Sequence, residues 1–205
     1  MNYYGDIALQ LGVLLFALSF HEMAHAWAAY RLGDTTAKDE GRLTMNPIVH
    51  VDPIMTVLFP AILIVLQSSV IFGAAKPVPV NTRNLRNPKR DHMWIAAAGP
   101  ASNVILATAA IIVVNLVWSP QPDSALENVL GDWVYINLVL ATFNMIPLHP
   151  LDGSWILSRF LSGNAATAYA SLRPYGFLIL IFLMYTGVLW QVINPVMRFA
   201  SMFLP

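Results

Sequence analysis

Apolar runs close to the length of a bilayer crossing recur along this chain, and they leave it few ways to fold. A hydrocarbon core about 30 Å thick takes roughly 20 apolar residues as a helix. Residues 7–30, 54–72, 93–118, 133–148 and 176–190 form five such runs, and a weaker tail at 192–204 is interrupted by Asn194, Pro195 and Arg198. The composition agrees: 57% of the 205 residues are hydrophobic and 11% charged, where a soluble domain carries about 25% charged residues. The reading is an all-α polytopic membrane protein of about five to six hydrophobic segments. No hydrophilic stretch is long enough for a separate soluble domain, so residues 1–205 read as one membrane-embedded unit. The first run is too long for a signal-peptide core and is expected to stay in the mature chain.

Charge orients the chain and narrows its partners. The formal net charge is zero, which gives no reason to expect nucleic acid, and the absence of cysteine excludes disulfides and thiolate metal sites. The connection 73–92 holds Lys76, Arg83, Arg86, Lys89 and Arg90 against one acid, Asp91, whereas 119–132 holds Asp123, Glu127 and Asp132 with no basic residue. Basic connections favour the cytoplasmic side. The first should therefore be cytoplasmic and the second outside.

Within the first run stands "HEMAH", residues 21–25. Ionisable side chains inside a membrane helix are costly and point to function. Positions i and i+4 share a helix face, so His21 and His25 can bind one metal ion. Glu22 lies about 100° further round, where a base acting on an activated water is needed. This pattern on a helix is the signature of metalloproteases. Catalytic zinc takes three protein ligands and keeps a position open, so one more ligand must come from elsewhere. Of the eight aspartates, Asp152 alone directly follows an apolar segment. Pro147 and Pro150 break the helix before it, and Gly153 permits an abrupt turn that could aim the carboxylate back into the bundle.

Together "HEMAH" and "FNMIPLHPLDG" resemble the site-2 protease family of intramembrane zinc metalloproteases. Asn144, Pro147 and Leu151-Asp152-Gly153 match the family's second motif. "AAAGPASN", residues 96–103, is similar to its Ala-Gly-Pro helix start, and "GAAKPVPVN" to its small membrane-associated β element. The resemblance covers residues 7–160 as a catalytic core, with C-terminal helices at 161–205, and matches the short type without an inserted peptide-binding domain. It implies one zinc ion held by His21, His25 and Asp152, with Glu22 catalytic and Asn144 contacting substrate or the developing oxyanion. The implied partners are the lipid bilayer and a membrane-protein substrate with a transmembrane helix, cleaved within or near that helix. The implied location is the plasma membrane of a prokaryote, active site toward the cytoplasm. A non-hydrolytic zinc-binding or metal-transport protein would need the same ligands but has no use for Glu22.

Other residues carry weaker expectations. A fourth ligand at His149 would close the water position; otherwise it could relay protons. His50 and His92, near membrane boundaries, read as surface residues, and Asn103 as an interhelical brace. The ligands can meet only if the first and fourth runs point the same way, so residues 54–72 should enter the membrane and return, turning near Pro60. Residues 71–81 should supply an edge strand, since proline in a strand is confined to edges, with Ile71–Lys76 open to a second chain.

Overall fold

The computed structural model describes residues 3–65, 73–117 and 125–204. It opens with α1, Tyr3–Arg31, which carries the HEMAH motif two-thirds of the way along. The helix stops at Gly33, whose φ of 107° lies where residues with a Cβ are strained. Asp34 follows, and its buried carboxylate accepts from the backbone N–H and hydroxyl of Thr36, starting the short α2, Thr36–Asp39.

The chain then passes through a 3₁₀ turn, Pro47–His50, and a π turn, Pro53–Leu58, into α3, Phe59–Val65. At its far end this excursion returns to its start. Ala74 donates its N–H to Met55 O, and Gly73 packs against Pro60, where a Cβ would stand 2.9 Å from the ring. Two further ties hold this region to the chain that follows α1. Asp34 also accepts from Asn81 N–H and from the Asn84 amide, and buried Arg42 donates to the carbonyls of Val49, Lys76 and Pro77. The turn after α1 and the connection before α4 therefore lie side by side.

Helix α4, Pro88–Ile112, begins with proline at its first position, and Asp91 accepts from Asn87 N–H at that start. It continues as a π turn, Val113–Val117. α4 is the centre of the bundle, packing against α1, α5 (Ala125–Asn144) and α6 (Asp152–Phe160). Small residues make that close approach possible: Ala17, Ala26, Ala29, Ala107 and Ala141 are buried. After α6 come α7 (Gly163–Ser171), a 3₁₀ turn at Arg173–Tyr175, α8 (Gly176–Tyr185) and α9 (Val188–Ser201). Outward faces carry large apolar side chains such as Ile105, Leu178 and Phe182, which suits a lipid solvent.

Two expectations need correction. The β element is absent: among the described residues there is no strand, and 73–80 has no regular structure. Residues 71 and 72, where the expected edge strand begins, lie outside the described residues. Pro77 and Pro79 remove two donors. The donors of Ala74 and Lys76 go to single carbonyls, Met55 O and His50 O, of a neighbouring stretch coiled into helical turns. A coiled neighbour offers no row of evenly spaced partners, so no ladder forms.

The count of five to six hydrophobic segments also changes. Among the described residues three stretches are long and apolar enough to cross a membrane: Ala8–Arg31, Pro88–Asn115 and Gly163–Tyr185. The apolar run at 176–190 is interrupted by Gly187, left-handed at φ 75°, and its helix joins backward to α7 instead.

Candidate active site

His21 and His25 stand one turn apart on the buried face of α1, and α4 crosses directly over them. The crossing requires glycine: a Cβ at Gly99 would lie 2.4 Å from His25 Nε2 and 2.6 Å from His21 Nε2. α6 approaches from another side, with Asp152 as its first residue. The break between α5 and α6 delivers it there. Gly153 allows that fold-back, since a Cβ would meet Met145 O at 2.2 Å.

Hydrogen bonds fix both imidazoles. Ile95 O can only accept, so His25 donates to it through Nδ1, at 2.7 Å. His21 Nδ1 lies 2.6 Å from Asn103 Oδ1. The Asn103 amide nitrogen donates to Asn137 Oδ1 and to Ala17 O, and Asn137 donates to Trp133 O. Because this chain ends on carbonyls, Asn103 must present its oxygen to His21. Both rings thus carry a proton on Nδ1, which in the neutral imidazole leaves Nε2 as an acceptor facing inward. Such partners fix tautomer and aim in metal-binding histidines.

The two Nε2 atoms are 3.0 Å apart, and Asp152 Oδ2 is 3.2 Å from one and 3.3 Å from the other. Asp152 Oδ2 is buried without a hydrogen-bond donor. Three lone-pair atoms at that spacing repel one another unless a cation lies among them. Zinc bonds of about 2.0–2.1 Å in tetrahedral geometry imply ligand separations of about 3.3 Å, so the donor set fits zinc. Among the described residues this is the one His/Cys/Asp/Glu cluster that could hold a metal.

A cleft of about 260 Å³ opens onto this triad, lined by Glu22, Asn144, Phe143, Leu18 and the 73–80 stretch. Glu22 is nearly buried and reaches the cleft beside His21. Asn144, the last residue of α5, lines it too and donates one amide hydrogen to Leu140 O. His149 stands outside the triad, its Nδ1 2.9 Å from Ser154 Oγ.

Of the two histidines expected at the surface, one is buried and the other half-buried. His50 is buried, with Nε2 2.9 Å from Thr44 O. His92 stacks on Trp155 at 4.3 Å and lines the cleft. Gly99 and Trp155 were not foreseen as parts of the site. For Gly99 a signal exists in the Gly-Pro pair inside an apolar helix, a combination that favours close helix contact.

The His21, His25 and Asp152 cluster and the sequence comparisons agree on a class, a membrane-embedded zinc hydrolase. Peptidase family M50 matches residues 9–126. The chain is 36% identical over 191 residues to "Putative zinc metalloprotease YwhC" of Bacillus subtilis, covering 88% of this chain and 84% of that one. It is 26% identical over 189 residues to Rip2 of Mycolicibacterium smegmatis, which bears the same description, covering 92% and 71%. No solved structure matches. The chain belongs to peptidase family M50 and is an intramembrane zinc metalloprotease.

Proposed function

We propose that this protein cleaves a transmembrane segment of a membrane-protein substrate in the cleft beside His21, His25 and Asp152, with one zinc ion per chain held by those three residues. The observation that carries this reading is the convergence of the three bare acceptor atoms within 3.3 Å, Asp152 Oδ2 being buried without a donor.

Zinc held there supplies Lewis acidity, which polarises a carbonyl and makes water a better nucleophile near neutral pH. The Glu22 carboxylate takes a proton from the attacking water and delivers it to the leaving amine nitrogen. Asn144 uses its second amide hydrogen to hold the substrate carbonyl as charge develops on the oxygen. Asn103 and Ile95 O keep the imidazoles aimed, and the apolar wall of Leu18 and Phe143 suits side chains drawn from lipid. Backbone groups in a transmembrane helix are already paired, so the substrate must unwind before its peptide bond can enter. The basic connection around 83–90 supports an active site facing the cytoplasm in a prokaryotic plasma membrane.

Purified protein reconstituted with a single-span substrate tests the reading. Cleavage should stop with chelator and return with zinc, at one zinc per chain. Cleavage that survives full removal of metal would overturn it.

A further inference from the structure

A second cavity, of about 320 Å³, lies beyond the metal cleft. Trp155 and His92, stacked on each other, line both cavities and form the wall between them. The second cavity is lined by Lys89 from the first turn of α4, Arg159 near the end of α6 and Arg173 from the turn before α8, with Tyr169 beside them. No acidic residue lines it. Among the described residues no carboxylate lies within ion-pair distance of these three cations.

Like charges gathered in a concavity with no counter-ion define a potential that draws anions. Arg173 is held with its guanidinium carbon 4.6 Å from the Trp155 ring centroid, a cation–π contact that limits its freedom. Guanidinium forks match the oxygens of a phosphate. The volume falls in the range of small-molecule sites, about 300–1,000 Å³. Position adds to this. α4 is apolar enough to cross a membrane, and its first turn, Pro88-Lys89-Arg90-Asp91, is its charged end. The cavity therefore sits where a membrane helix emerges among lipid head groups, a level at which basic pockets between helices bind phosphate head groups.

We propose that the cavity bounded by Lys89, Arg159 and Arg173 binds a phosphate-bearing anion at the membrane surface. Two sources carry that chemistry, an anionic phospholipid and free phosphate.

Native mass spectrometry of delipidated protein offered equal phosphatidylglycerol and phosphatidylcholine reads the first source. Thermal shift with inorganic phosphate reads the second. Wild type should prefer phosphatidylglycerol by about tenfold or more, or gain thermal stability with phosphate. K89Q/R159Q should lose whichever response is seen, K89R/R159K should keep it, and metal content should match wild type in both. A response to phosphatidylglycerol alone assigns a lipid, and a response to inorganic phosphate assigns the free anion. Should the double variant fail to fold, R159Q, at an exposed position, should show an intermediate loss. Absence of both responses in wild type, or a response unchanged in K89Q/R159Q or R159Q, overturns the proposal.

Discussion

Asn103 Oδ1 accepts from His21 Nδ1 at 2.6 Å across the α1–α4 interface, with Asn103 itself fully buried. Asn103→Ala should weaken zinc about 10- to 100-fold, the usual cost of losing such a partner, because the ring loses both its aim and its tautomer. Asn103→Asp keeps an acceptor and should lose less. Competition with a chromogenic chelator measures both. Wild-type affinity in Asn103→Ala would mean that packing alone holds the ring.

Glu22→Gln should separate catalysis from metal binding. It keeps size and position but removes the base, so cleavage should fall by about 10² to 10⁴ while zinc content stays near that of wild type. Asp152→Ala should instead lower zinc content. Metal analysis beside a single-span cleavage assay distinguishes the defects, and undiminished hydrolysis by Glu22→Gln would remove Glu22 from the mechanism.

Gly99→Ala should damage the site although it adds one methyl group. Its Cβ would fall 2.4 to 2.6 Å from the nitrogens of His25 and His21, so α4 or the imidazoles must move. Loss of zinc and activity is expected. Gly12→Ala, on α1 where nothing lies within 4 Å, serves as a control and should be neutral or slightly stabilising. Equal zinc binding by the two variants would contradict the crossing geometry.

Asp34 should matter for stability in acid. Burial pushes its carboxyl up, but hydrogen bonds from Thr36, Asn84 and the Asn81 and Thr36 backbone hold it below its ordinary value. A carboxylate with a depressed folded pKa contributes fully above its unfolded value, about 3.9. That contribution is lost as pH falls through the lower folded value. Asp34→Ala should cost about 2–4 kcal/mol at neutral pH, since several charge-assisted bonds vanish together. Thermal unfolding across pH should show a shallower acid limb in Asp34→Asn, and an unchanged limb would remove Asp34 from the acid response.

The legible parts of this molecule are those set by local spacing. His21 and His25 follow from helical periodicity alone, and Glu22 from the same geometry. Asp152 could be singled out because it alone directly follows an apolar run and the prolines before it break the helix. Residues defined by what crosses them were less visible. Gly99 matters because another helix's histidines lie against it, and His50 is buried because Thr44 O waits for it; neither partner is fixed by spacing along one element. Asn103 reads from sequence as a brace, but not as a brace upon His21. The strand expected at 71–81 illustrates a different gap. Its proline alternation reads as extended chain, and extended chain becomes a strand only with a paired neighbour, whereas the stretch beside it is coiled.

His25 Nε2 and Asp152 Oδ2 come within 3.3 Å of each other although more than half the chain separates them. A contact of that kind closes a loop whose entropic cost grows only with the logarithm of its length. The connections inside the loop can therefore lengthen by many residues at small cost, provided α1, α4 and α6 keep their mutual packing. Evolutionary freedom in this architecture belongs to its connectors, where insertions could tune access to the cleft without disturbing the three helices that hold the donor atoms.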